Sequence, residues 1–386
     1  MHLLRLILAT LVAVALAPSA AQAAPPWSDP ANLGQGANPV VLGDIVAFNG
    51  PGSIPGAPLL RSVNGAPATV WDSGRGAFDT QFGAFGSAKL YIGPKGRRVE
   101  IARGSGAGWK FSFAGPRTGG ARVAAAPGAA AFSTFEAGDV GRVYLVRGTH
   151  ATQRLSDRGH IRAVAVATNA RGDVLVAWDL RGTVEARLWH AGRLGSVRKL
   201  GTVTAAMHIS AALSAGGRPL VAWVDQRVNE GASGMHARIQ ESVGFGRAKT
   251  LEVFPDFTIP SGEGVEAAYV GHRGLVAWSG RHAVRAAFVG GTPQDVAPVG
   301  PDTGYAALGL TDLAVSPAGA LIAIGAPIDA THNQVLASLL GANGFGPASA
   351  VSAPGEFLGR ATAGFDGQWV VAWSGGGTVS RATASP

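Results

Sequence analysis

Short apolar runs that end in a large residue return along the chain about every 40–55 residues. Four copies are nearly identical: Leu175–Trp178, Leu220–Trp223, Leu275–Trp278 and Val370–Trp373. Weaker copies fill the intervals: Ile45–Phe48, Lys89–Ile92, Ala129–Phe132 and Leu321–Ile324. Within these runs apolar residues hardly alternate with polar ones, which predicts strands covered on both faces. Each run is preceded by a small-residue segment, such as Ala163–Ala167 or Ala211–Leu213, and by a glycine turn such as Arg171-Gly172-Asp173 or Asp366-Gly367. A V-x-A segment follows, as in Val184–Leu188 and Val284–Phe288. A polar segment with one apolar residue near its end closes the unit, as in Ser196–Leu200 and Pro347–Val351.

Four short antiparallel strands per unit, in eight units, predict an all-β chain folded as a β-propeller. The last unit stops after its third strand, near Thr383. Residues 27–33 resemble a spare fourth strand and are expected to complete the last blade and close the ring. Connections from second to third strand alternate. Phe48 to Leu59, Phe132 to Val143, Trp223 to Met235 and Ile324 to Val335 are long; the four others are short. Such alternation closes on itself only with an even blade number, which favours eight blades over seven. The recurrent tryptophans are expected in the core, because each buries roughly 150–250 Å².

Composition agrees with many tight turns: 57 glycines, and only 15% charged residues. No cysteine occurs, so the core must hold without disulfides. Residues 1–23 read as a secretory signal, with Arg5, the apolar stretch Leu6–Leu16 and a small-residue cleavage site at Ala21-Gln22-Ala23. Residues 24–386 are then a single domain, secreted to the extracellular or periplasmic space, with no integral membrane segment and expected as a monomer. The net charge of +8 falls to +7 without Arg5. That excess suits a glycan or an anionic surface polymer as partner. No basic run interleaved with aromatics points to nucleic acid.

Loops on a rigid scaffold are where binding residues gather. The second-to-third connections and the fourth-to-first connections share one face of a propeller. They bring Asp225, Glu230, Asp329 and His332 to a rim. The entrances of the first strands bring Arg122, Arg162, Glu266, Asp312 and Arg360 to the channel mouth. Three arginines there suit an anionic sugar or carboxylate, which guanidinium pairs bidentately. No catalytic signature is present, no cofactor and no metal are implied, and the catalytic residues, if any, stay unassigned.

The unit A-x-A…G…L-V-A-W…V-x-A resembles the repeats of secreted bacterial β-propeller proteins. Sialidase-like propellers are similar in blade plan, but the stretch Asn169–Asp173 lacks their S-x-D-x-G-x-x-W box. WD-repeat propellers are similar too, yet their Trp-Asp ending occurs only at Trp178-Asp179. The resemblance implies fold and export and transfers no catalytic residue. A non-catalytic binding module is preferred over a carbohydrate-active hydrolase or lyase with rim carboxylates, because the repeats are so regular.

Overall fold

A computed structural model describes residues 26–52, 57–72, 81–85, 88–95, 98–105, 108–113, 123–134, 140–147, 152–203, 205–228, 235–254, 264–280, 282–298, 309–329, 331–356, 358–359 and 361–386. The expected signal at residues 1–23 lies outside them. The described residues form antiparallel sheets and no helix. In chain order the main sheets begin with Ala37–Leu42, Gln81–Phe85, Val123–Ala126, Val164–Thr168, Ala205–Leu213, Val265–Val270, Gly309–Ser316 and Ala361–Phe365. They are called the first to eighth sheets below. In each the first three strands pair in succession as a meander, as the four-segment unit predicts; in the eighth the fourth strand is the N-terminal Ala31–Gln35.

The apolar runs are the second strands, and they are buried throughout. Phe48, Phe132, Trp178, Trp223, Trp278 and Ile324 are fully buried and Trp373 nearly so. Most of them fill the space between two sheets, so much of the core is a series of clusters shared by neighbouring sheets. One joins Leu175 and Ala177 of the fourth sheet to Val221 and Trp223 of the fifth. Another joins Leu321 and Ala323 of the seventh to Ala361 and Trp373 of the eighth. Buried indole N–H groups need acceptors. Trp178 Nε1 donates to Glu185 Oε2 at 3.1 Å, and Trp223 Nε1 donates to Gln240 Oε1 at 3.1 Å. Trp278 Nε1 reaches Glu252 of the preceding sheet.

The fourth strands of the first, fourth and sixth sheets share a device that strand patterning alone does not reveal. Between Val184 and Glu185 the ladder skips Leu200; between Val284 and Arg285 it skips Val296; between Leu59 and Leu60 it skips Trp71. A bulge of this kind leaves one residue unpaired and re-aims its side chain. Leu200, Val296 and Trp71 are all buried. This accounts for the single apolar residue near the end of these otherwise polar segments.

The same bulge identifies the N-terminal strand. Ala31–Gln35 pairs with Thr378–Ala384, the ladder shifts between Asn32 and Gly34, and the skipped Leu33 is buried. Strand pairing therefore starts later than the expected residues 27–33. Pro30 has no N–H to contribute to a ladder. Before it Ser28 donates its N–H to Thr383 O at 2.8 Å and accepts the Thr383 N–H on Oγ at 3.0 Å, and Trp27 Nε1 donates to Ser349 Oγ of the seventh sheet at 3.1 Å. Leu33 packs with Val46 and Phe48 of the first sheet and with Ala372 and Val379 of the eighth. The first strands of the first and eighth sheets also touch. A Cβ added to Gly364 would lie 2.3 Å from Val41 Cγ1.

The short connections are tight. Leu180 pairs with Thr183 and Gly375 with Thr378, leaving two-residue turns. Both turn residues have positive φ, 52° and 77° at Arg181-Gly182 and 55° and 76° at Gly376-Gly377. That twist matches flanking strands. The long connections are partly strand. In the fifth sheet Pro219–Val228 pairs through to Met235, and in the seventh Gly319–Pro327 pairs through to His332–Gly341.

Candidate functional site

The residues expected at the rim separate into different environments. Asp225 is not on a loop: it lies within Pro219–Val228, opposite Arg238 and Ala206, and is fully buried. The ladder continues through it because pairing satisfies backbone groups that a loop would leave open. Glu230 lies outside the described residues. Asp329 and His332 do sit together at an exposed turn. Asp329 Oδ1 accepts from Thr331 N and His332 N, both at 2.8 Å, and its carboxylate contacts His332 Nδ1 at 3.0 Å. The backbone N–H of Thr331, then the His332 ring and N–H, hold the Asp329 carboxyl well below the ordinary carboxylate range. Its acceptors serve the turn.

The two loop families do meet on one face. Val140–Gly141, in the second-to-third connection of the third sheet, pairs with Gly159–His160, which leads into the fourth. Gly355–Glu356, leading into the eighth sheet, pairs with Asn333 and His332. Asn333 adds a reciprocal pair, accepting from Leu358 N at 2.7 Å and donating to Leu358 O at 2.8 Å.

At the expected channel mouth, Arg122 and Arg360 lie outside the described residues, and Arg162 is exposed just before Val164–Thr168. Glu266 and Asp312 are built into contacts between first strands. Ser210 Oγ of the fifth sheet donates to Glu266 Oε2 of the sixth at 2.7 Å and accepts the Ala267 N–H at 2.9 Å. Asp312 Oδ2 of the seventh sheet accepts from Thr362 Oγ1 at 2.7 Å and from Ala363 N at 2.9 Å in the eighth. Asp312 Oδ1 also takes the Leu313 N–H at 2.8 Å. In both places an acceptor on one sheet caps an N–H on the inner edge of the next. His208 Nε2 stands 3.6 Å from Glu266 Oε1. The serine and the histidine each face the carboxylate.

Sequence reading missed a cleft between the third and fourth sheets. Its volume is about 410 Å³, and Arg154, Asp157, Glu185, Arg187 and Lys199 line it. Glu185 is 8% exposed. Its Oε2 is held by Trp178, while Oε1 makes no hydrogen bond among the described residues. Burial pushes the Glu185 carboxyl above its ordinary value; Trp178 and Lys199 oppose this and Asp157 adds to it. Arg187 is fixed by two carbonyls, Nε donating to Gly195 O at 2.9 Å and Nη1 to Leu155 O at 3.1 Å. Burial lowers its affinity for its proton somewhat. Its Nη2 makes no hydrogen bond among the described residues. The sequence signal was Val184-Glu185-Ala186-Arg187, charged at both x positions of V-x-A-x, where a water-facing strand edge looks the same.

A second buried carboxylate, Asp173, is structural. Burial alone would raise it, but Asn169 and His190 hydrogen bonds, with the charges of His190 and Arg171, hold it below the ordinary range. Asn169 also donates to Ser214 O at 3.0 Å, tying a turn of the fourth sheet to the fifth. Among the described residues no group of three or more histidine, aspartate or glutamate side chains is placed to hold a metal ion. No helix of the described residues is long and apolar enough to cross a membrane.

No protein-family model and no curated protein matches the chain. Solved structures with a similar strand arrangement include puromycin hydrolase, at 16% identity and TM-score 0.49, covering 91% of this chain. The chain spans 61% of that protein's length. The β-propeller domain of the trilobed protease from Pyrococcus furiosus is similar at 10% identity over 78% of this chain and 92% of that one, TM-score 0.43. The six-bladed fucose-recognising Aleuria aurantia lectin is similar at 14% identity over 70% and 94%, TM-score 0.35.

Proposed function

We propose that the chain is an exported eight-bladed β-propeller, closed by its N-terminal strand, that acts as a non-catalytic binding module for glycans or anionic polymers. Ring closure is supported by the core shared between the first and eighth sheets and by the fourth-strand bulge at Leu33. Export is supported by the pattern of residues 1–23 and would be checked by N-terminal sequencing of the protein recovered outside the cell.

The binding reading rests mainly on one observation. Glu266, Asp312 and Asp329 are engaged in holding the scaffold, whereas the cleft between the third and fourth sheets presents a fixed guanidinium with an open donor. Fixed donors that need no rearrangement suit recognition. A glycan array probed with the purified protein, paired with an assay for released reducing ends, tests this. Retention of acidic glycans without release supports it; release of reducing ends overturns it in favour of a hydrolase. That second reading has its own support. Glu185, raised by burial, lies near Asp157, and two carboxyls in contrasting environments are what glycoside hydrolysis uses.

A further inference from the structure

We infer that the cleft between the third and fourth sheets binds a saccharide unit bearing a carboxylate or sulfate, with Arg187 as the anion clamp and Glu185 as a hydroxyl partner. This rests on the binding reading above and names the ligand class and its seat.

Three features of the cleft carry the assignment. First, Arg187 is immobilised before any ligand arrives. Its bonds to Leu155 O and Gly195 O fix the guanidinium plane across the two sheets and leave Nη2 directed to a partner that the described protein does not supply. A pre-set guanidinium loses little side-chain freedom on pairing with a carboxylate or sulfate. Second, Arg154 and Lys199 stand at the exposed edges of the same cleft, so cations outnumber carboxylates there. The local field therefore selects an anion. Third, the carboxylates present make the cleft wrong for a bare anion. Glu185 is nine-tenths buried and lines the cleft, its Oε1 makes no hydrogen bond among the described residues, and Asp157 lies on the same lining. Two carboxylates beside an anion are unfavourable unless something donates to them, and the hydroxyls of a sugar ring do so. Val197 and Leu155 add apolar lining, against which a ring can rest. The volume of about 410 Å³ suits one or two sugar units.

The test is calorimetric titration of the purified protein with an oligogalacturonate, a sulfated galactan oligomer and an uncharged galactan of equal length. Wild type is expected to bind at least one charged oligomer at least tenfold tighter than the uncharged one. Which of the two it prefers identifies the anionic group. Arg187→Met should weaken the preferred oligomer at least tenfold, and Arg247→Met, at an exposed position of the fifth sheet, should not. Because Arg187 also bonds two carbonyls, Lys199→Ala and Arg154→Ala carry the test if that variant does not fold; each should weaken binding severalfold. Charged oligomers that bind all variants as they bind wild type would overturn the cleft assignment while leaving a binding module in place. Failure of every charged oligomer to bind wild type, or equal binding of the uncharged galactan, would overturn the assignment. Absence of any glycan on the array as well would remove the binding reading with it.

Discussion

The last four sheets and the first four treat the same position in opposite ways. Opposite the alanine of each second strand, the first strand carries Ser210, Glu266, Asp312 and Thr362 in sheets five to eight. In sheets one, three and four the matching residues are Val40, Ala124 and Ala165. Phe82 holds that place in the second. The polar four are bonded in two pairs that cap N–H groups of the neighbouring inner edge. Inner strands pair on one side only, so the other side must find acceptors elsewhere. One half of the molecule supplies them from side chains and the other packs small or apolar residues. A repeat can thus keep its core and still differentiate at its inner edge.

Removing the charged clip should have the largest effect. Asp312→Ala strips acceptors from Thr362, Ala363 and Leu313, and should cost about 2–4 kcal/mol in denaturant unfolding. Next is the junction where the polar half meets the apolar half. Gly364→Ala places a Cβ against Val41 and should cost roughly 1–3 kcal/mol, partly restored by Val41→Ala in the same chain. Ser210→Ala leaves the Ala267 N–H uncapped and should cost about 1–2 kcal/mol. Ala165→Ser asks whether a hydroxyl alone imports the device into the apolar half. Ala165 is buried, so a hydroxyl with no carboxylate opposite among the described residues should give no gain and cost about 1 kcal/mol. A gain as large as the loss in Ser210→Ala would erase the contrast between halves.

The smallest effect separates burial from pairing. Glu241 is buried in the fifth sheet, and burial raises its carboxyl, with Lys249 opposing. The folded chain then keeps that proton to higher pH than the unfolded chain, so stability falls as pH rises above the ordinary carboxylate range. Glu241→Gln should melt slightly above wild type at pH 7 and with it at pH 4. Equal melting at both would mean the carboxylate is solvated after all.

Much of the scaffold was legible because it repeats. Trp178, Trp223 and Trp278 announce both strand and core, since a large residue at a fixed place in a covered strand has nowhere else to go. Arg181-Gly182 and Gly376-Gly377 were legible as short links, for few sequences turn in two residues. The bulge at Leu33 was not: it is a shift of pairing, visible only once Val379 is opposite Gly34. Asp225 was misplaced because a charged residue after an apolar run looks like a loop, although the ladder runs on past it. The cleft was hidden for a related reason. Glu185 is buried with Trp178 across the ladder from it, and Arg187 is fixed in part by a carbonyl of the sheet before. Contacts between repeats leave no period to read.

The pairing of Ala31–Gln35 with Thr378–Ala384 also sets a clock. A strand made early must wait for one made about 350 residues later, so the final sheet assembles only after Thr378–Ala384 has been made. Until then its edges stand open, and the chain stays threadable for as long as it needs to be. Once joined, Ala31–Gln35 and Thr378–Ala384 cannot separate without unseating Leu33 from the cluster it shares with both sheets.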